Sequence, residues 1–305
     1  MIDFKKQFEA GLRAAQGINV KGDFDRVVFC GMGGSAMPGE IISMMWINRL
    51  NCYINRGYGL PHWVDKKDLV ICISWSGNTQ ETISSFKLAT EKNLSVIAIT
   101  RGGKLAELAE NHHIPLIKLP DENLKARFAT GYMLSALLTV LSNSAIIDYV
   151  LPDSSIFEPP ADSISSKIIR KTPLIYSSYQ WRYLARFWKI HFNEDCKIHS
   201  FSNYLPEAAH NEIAGFNTTK KNSYFPIILT DPDDQPEEIG KLKKFASFLK
   251  NQEIDHEVIN IQGNTRLAKI LNNYNLAILT SLELAKAIGV DPLDTSIIEE
   301  FKKAL

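Results

Sequence analysis

The chain carries no net charge: 34 Lys and Arg balance 34 Asp and Glu across 305 residues. Without a field of one sign it has nothing general to gather nucleic acid or coat an anionic membrane, so neither is expected as a partner. An anionic ligand would have to be held by local donors. No run of 18 or more apolar residues occurs, so no membrane span is expected. The first ten residues, MIDFKKQFEA, are charged and helix-like and lack an apolar signal core. Cysteine is scarce: the four, at positions 30, 52, 72 and 196, make no C-x-x-C pair, and three fall in apolar strand-like runs. Buried, reduced thiols and a cytoplasmic setting are the expectation. Seven histidines include the adjacent His112 and His113 but no H-x-x-x-H or Cys/His cluster, so no metal site and no cofactor are expected. What remains is globular composition, 45% hydrophobic and 22% charged, at a length that suits two domains.

Strand and helix patterns alternate through the first half. Apolar runs at Arg26–Cys30, Cys52–Asn55, Leu69–Ile73, Ser95–Thr100 and Ile114–Leu119 predict strands. Between and after them, Ser35–Leu50, Gln80–Lys92, Lys104–Asn111 and Ala126–Asn143 read as helices. Leu69–Ile73 is apolar at every position, as expected for a parallel strand covered on both faces. Leu151–Ala161 (LPDSSIFEPPA) is rich in proline and serine and reads as a linker. The alternation then restarts, with strands at Pro173–Ser177, Ile198–Phe201, Tyr224–Leu229 and His256–Ile261 and helices at Gln180–Phe192, Pro236–Asn251 and Thr265–Gly289. The predicted fold class is α/β, with two doubly wound parallel-sheet domains, 1–152 and 162–305, related by divergent duplication.

Two strand-to-helix junctions carry ligand-binding chemistry. Gly31-Met32-Gly33-Gly34-Ser35 follows the first strand; its glycines let backbone approach a ligand, and a helix N-terminus offers N–H groups to an anion. The run also fits G-x-G-x-x-A, ending at Ala36, but a dinucleotide fingerprint wants an acid about 20 residues on. Asn51–Asn55 (NCYIN) supplies none. The third strand runs into Ser74-Trp75-Ser76-Gly77-Asn78-Thr79. Its hydroxyls could surround a phosphate with neutral donors, the helix dipole balancing the charge; alternatively they merely cap the following helix. Trp75, bulkier than expected between two serines, would narrow the pocket and alter which ligands enter.

GMGGS, SWSGNTQET with Ser74 placed 39 residues after Ser35, and LPEAAHNEIAGF at Leu205–Phe216 together resemble the bifunctional phosphoglucose/phosphomannose isomerases, which are built from sugar isomerase (SIS) domains. The resemblance covers nearly the whole chain. It implies phosphate binding by Gly34, Ser35, Ser74, Ser76 and Thr79 in the first domain, and a second domain that lacks such a pocket and lends catalytic groups.

Aldose–ketose isomerisation needs an acid/base for ring opening, a base to move a proton between C2 and C1, and a cation near the enediolate. On sequence alone Glu194 is one acid among 34; the resemblance makes it the base. His210, 16 residues later, becomes a ring-opening group contributed by the partner subunit of a homodimer. Glu207 and Glu212 are rival carboxylates. Arg127 corresponds to the arginine facing C1–C2, with Lys125 as its competitor. Lys302, or Lys303 one position on, matches the ring-opening lysine, and Thr295 the threonine beside C1–C2. The implied activity is reversible conversion of glucose 6-phosphate and mannose 6-phosphate to fructose 6-phosphate through a cis-enediolate. Against it stand a non-catalytic sugar-phosphate-binding regulator, an isomerase of another (amino-)sugar phosphate, and, more remotely, a dinucleotide-dependent oxidoreductase.

Overall fold

A computed structural model describes residues 3–145, 161–216 and 223–304. The chain divides into two compact units, Met1–Leu151 and Pro152–Leu305. Most of the expected linker, Leu151–Ala161, lies outside the described residues.

The first unit opens with α1 (Phe4–Ala15), capped by Asp3, whose carboxylate accepts the Lys6 N–H. There follow β1 (Arg26–Cys30), α2 (Met37–Met45), β2 (Cys52–Asn55), β3 (Asp68–Ile73), α3 (Gln80–Glu91), β4 (Ser95–Thr100), α4 (Gly103–Asn111), β5 (Leu116–Lys118) and α5 (Thr130–Asn143). The strands pair in parallel in the order β2-β1-β3-β4-β5. Every residue of β3 is buried, which accounts for its unbroken apolar run. Val28, Val70, Phe86, Val96 and Leu105 form one core layer, and α1 packs against α5.

The second unit repeats the plan. After α6 (Ala161–Ile168) come β6 (Thr172–Ser178), α7 (Arg182–Asp195), β7 (Phe201–Leu205), the short α8 (Glu207–His210), β8 (Tyr224–Thr230), α9 (Pro236–Asn251), β9 (Glu257–Asn260), α10 (Arg266–Ile288) and α11 (Ser296–Lys303). The parallel order is β7-β6-β8-β9, so β6, β7, β8 and β9 stand where β1, β2, β3 and β4 stand in the first sheet. Thr265 caps α10 by accepting the Ala268 N–H, and Gly289 ends it at φ 73°, the left-handed C-cap that glycine favours.

Three predicted helices begin with a separate tight turn: Gly33–Ala36 before α2, Ala126–Phe128 before α5 and Tyr179–Trp181 before α7. After β1 and β6 the chain therefore passes through a turn that can face a ligand before the helix proper starts. Helix α7 runs on to Asp195, so Glu194 lies in its last turn rather than beyond it. The strand predicted at Ile198–Phe201 is found at Phe201–Leu205. Ser200 is pinned beforehand, its N–H donating to Asn193 Oδ1 (2.8 Å) and its hydroxyl to the Pro173 carbonyl (3.0 Å), so pairing with β6 starts only at the next residue.

Candidate active site

In the first sheet the order reverses between β1 and β3, and ligands of open α/β sheets bind beside the carboxyl ends of strands at such a point. Both junctions identified in the sequence lie there. They are stitched together: the Trp75 N–H donates to Ser35 Oγ at 3.0 Å. Ser74 Oγ accepts the Gly77 N–H at 3.1 Å and lies 2.9 Å from Thr79 Oγ1. Ser76 Oγ accepts the Asn78 N–H at 3.3 Å. A hydroxyl that accepts from the backbone keeps its own proton to donate, so the loop presents neutral donors. Thr79 occupies the N-cap position of α3 but its side chain makes no capping bond, so simple capping does not explain these hydroxyls. Ser35 and Ser74 are buried, Thr79 is half-buried and Ser76 is exposed.

Two glycines set this geometry. Gly77 has φ 72°, and a Cβ there would lie 1.7 Å from the Gly102 carbonyl oxygen. A Cβ on Gly34 would lie 2.4 Å from the Arg127 backbone nitrogen. That second approach places the Ala126–Phe128 turn directly against the glycine loop. Arg127 is only 2% exposed, its guanidinium 4.7 Å from the Phe128 ring, so it is not a surface arginine. The structure thus brings together Gly34, Ser35, Ser74, Ser76, Thr79 and Arg127.

The Trp75 side chain does not act as the sequence suggested. The indole is 3% exposed, donates Nε1–H to the Leu124 carbonyl at 2.8 Å and stacks on Tyr132 at 5.7 Å. It packs into the core, and its backbone serves the loop.

In the second unit Glu194 is half-buried on a rigid footing. Its neighbour Asn193 holds Ser200, and Asp195 is fully buried, 2.7 Å from both His191 Nδ1 and Ser281 Oγ. This turn is level with the starts of β6 and β7, through Pro173 and Ser200. His210 follows the end of β7 and is exposed at the end of α8. Glu194 therefore stands beside the start of β7, and His210 follows its end. Thr295 caps α11 by position, and Lys302 is exposed on that helix, 3.1 Å from Glu299.

A bifunctional phosphoglucose/phosphomannose isomerase from Thermoplasma volcanium is 31% identical over 293 residues, covering 93% of this chain and 92% of its own length. The chain belongs to that family. Residues 23–140 match the SIS domain family, and 157–305 match the bacterial phospho-glucose isomerase C-terminal SIS domain. A D-glucosamine-6-phosphate 4-epimerase from Sulfolobus acidocaldarius is 30% identical over 288 residues, 92% of this chain and 89% of that protein. Among solved structures, a hypothetical protein from Thermus thermophilus superposes with a TM-score of 0.73 over 98% of this chain and 86% of its own, at 13% identity; that likeness concerns the fold.

For this member of the isomerase family the structure separates the rival carboxylates. Glu212 accepts from the Tyr176 hydroxyl (2.9 Å) and from Asn203 Nδ2 (2.6 Å), fastening the HNE segment to the sheet. Burial, reinforced by the Glu212 charge, raises the Tyr176 pKa and keeps the phenol a donor. Glu207 accepts from Asn211 Nδ2 at 2.8 Å and is exposed. Sequence reasoning missed this bracket and the His191–Asp195–Ser281 network beneath Glu194; the i, i+4 spacing of His191 and Asp195 on α7 was the available signal. Among the described residues no group of three His, Cys, Asp or Glu is placed to hold a metal. Burial pushes the Cys52 and Cys196 thiols up to about 12, so neither is a nucleophile near neutral pH.

Proposed function

We propose that the chain interconverts glucose 6-phosphate and mannose 6-phosphate with fructose 6-phosphate. Family membership supports the reaction class, and the hydroxyl-lined switch point of the first sheet supports the substrate class. Gly34, Ser35, Ser74, Ser76 and Thr79 hold the phosphate, whose binding positions the sugar for proton transfer. His210 and Lys302 open the ring. Glu194 removes the C2 proton, Arg127 stabilises the cis-enediolate, and the same carboxyl returns the proton to C1. Rotation about C2–C3, for which a small Thr295 leaves room, lets one base serve both epimers.

We infer a homodimer in which His210, exposed after the end of β7, serves the neighbouring copy's site. No described helix is long and apolar enough to cross a membrane, and a cytoplasmic setting fits the free thiols.

The test is a coupled assay with both sugar phosphates, with chelator, run on wild type and Glu194→Gln. Turnover of both sugars, reduced at least about a thousandfold in the variant, is expected for loss of the proton-transfer base. Turnover of glucose 6-phosphate alone would remove the Thr295 argument. The 30% identity to a glucosamine-phosphate epimerase makes glucosamine 6-phosphate the third substrate to assay; exclusive turnover of that sugar would replace this reading with the amino-sugar one. Binding of sugar phosphates without turnover would favour a regulator.

A further inference from the structure

Helix α11 leaves its apolar side chains in solvent: Ile297 is 74% exposed, Phe301 66% and Ile298 36%. At 3.6 residues per turn, Ile297 and Phe301 lie one above the other on one face. The same geometry sets Glu300 on one flank of that stripe and Lys302 on the other. A single exposed apolar residue needs no explanation, but a stripe bordered by charges marks a contact face.

The same unit holds a concavity of matching character. A cleft of about 280 Å³ is lined by Leu205, Ala209, Ile213, Phe245 and Phe248, with the exposed Lys241 and Lys244 at its rim. Its wall at Ala209 adjoins His210. Lys241 is paired with Glu238 at 3.1 Å, which leaves Lys244 as the rim charge suited to a new carboxylate.

We propose that α11 of one copy seats Ile297 and Phe301 in this cleft on a second copy, with Glu300 against Lys244 and Lys302 delivered beside His210. The inference rests on the reading above, in which Lys302 and His210 share ring opening, and it names the surfaces that bring them together. The occupant is a second copy because the stripe and the cleft agree in both polarity and charge. An unrelated partner would cover His210 without supplying the second ring-opening group. Two-fold symmetry makes the contact twice, each chain giving a helix and receiving one.

Cross-linking of the full-length protein tests this directly. Ala209→Cys and Phe301→Cys are made in separate chains, mixed and oxidised, with wild type as the control for the native thiols. A species of twice the chain mass in the mixture, absent from wild type, is expected. A cross-link that forms instead within single chains of the double variant at high dilution would overturn the proposal, as would no cross-link in either. Sedimentation supplies the second readout. Glu300→Lys should weaken self-association about tenfold or more, and adding Lys244→Glu should restore it; no change in either variant would overturn the pairing. The two readings fail separately. Turnover that depends on Glu194 but is indifferent to Phe301→Asp, with dimer mass unchanged, rejects the docking alone. Cross-linking without turnover of any sugar phosphate rejects the isomerase reading alone.

Discussion

The two sheets present the same junctions with opposite chemistry. After β3 the first unit has Ser74–Thr79; after β8, the corresponding strand, the second has Asp231-Pro232-Asp233-Asp234-Gln235. The first loop is built of neutral hydroxyls, of which Ser76 is exposed and Thr79 half-buried. The second is closed on itself: Asp234 Oδ2 accepts from Ser178 Oγ at 2.6 Å and its Oδ1 accepts from the Gln180 amide, while Arg266 donates to Gln180 Oε1 at 2.8 Å. Lys269 reaches Asp231 at 2.6 Å and Asp233 at 2.7 Å. Built-in carboxylates thus take the donors that the first unit offers to an anion. Arg266 stands at the head of α10, and burial lowers its pKa against the pull of Asp231 and Asp234. On the proposed reading the scaffold keeps one binding site, and the acidic loop of the second unit acts as a brace.

The comparison would break most plainly at Gly77. Gly77→Ala must move the loop, because its Cβ would meet the Gly102 carbonyl at 1.7 Å at a positive φ. Displacing phosphate donors by even about 1 Å can cost a hundredfold, so kcat/KM for glucose 6-phosphate should fall by at least that, chiefly through KM. An unchanged KM would show that the hydroxyl loop is not the phosphate site. Asp234→Ala is the matching change in the second unit. It strips acceptors from Ser178, which is fully buried, and from Gln180, and should cost about 2–3 kcal/mol in urea unfolding. KM should stay within about twofold, since only a brace is lost. A KM rise like that of Gly77→Ala would mean that the second loop also contacts substrate.

Much of this was readable before the structure. Apolar runs such as Leu69–Ile73 fix buried strands because both faces are covered, and glycines beside hydroxyls at strand ends mark a place where backbone must meet a ligand. The strand order that aligns Ser74–Thr79 with Asp231–Gln235 was not readable, and the aspartates drew no reading of their own; their role depends on Ser178 and Lys269, distant in sequence. The start of β7 was misplaced because Ser200 is held by Asn193 and Pro173 through contacts with no local pattern. Trp75 misled because a side chain's direction at a tight turn is decided by its partners, here Leu124 and Tyr132. The 16-residue spacing of Glu194 to His210 was legible; that β7 lies between them needed the strand boundaries.

The smallest effect is the one that separates the two loops by charge. Lys269 is 9% exposed; burial alone would lower its pKa, but the bonds to Asp231 and Asp233 outweigh it and hold it above the usual value. A raised pKa means that the folded state keeps the proton where the unfolded chain has begun to lose it. The stabilisation is therefore complete below about pH 10.4, the unperturbed lysine value, and declines as pH rises through the folded pKa. Lys269→Met should lower stability by about 1–2 kcal/mol at pH 8, discounted because Asp233 lies open to solvent. The gap to wild type should narrow at pH 11, read from urea midpoints by tryptophan fluorescence. Ser74→Ala removes only uncharged hydrogen bonds, so its cost should be the same at both pH values. A Lys269→Met gap that stays constant from pH 8 to pH 11 would mean that the second loop is held by packing rather than by its charges, and the contrast between donor cradle and ionic brace would be lost.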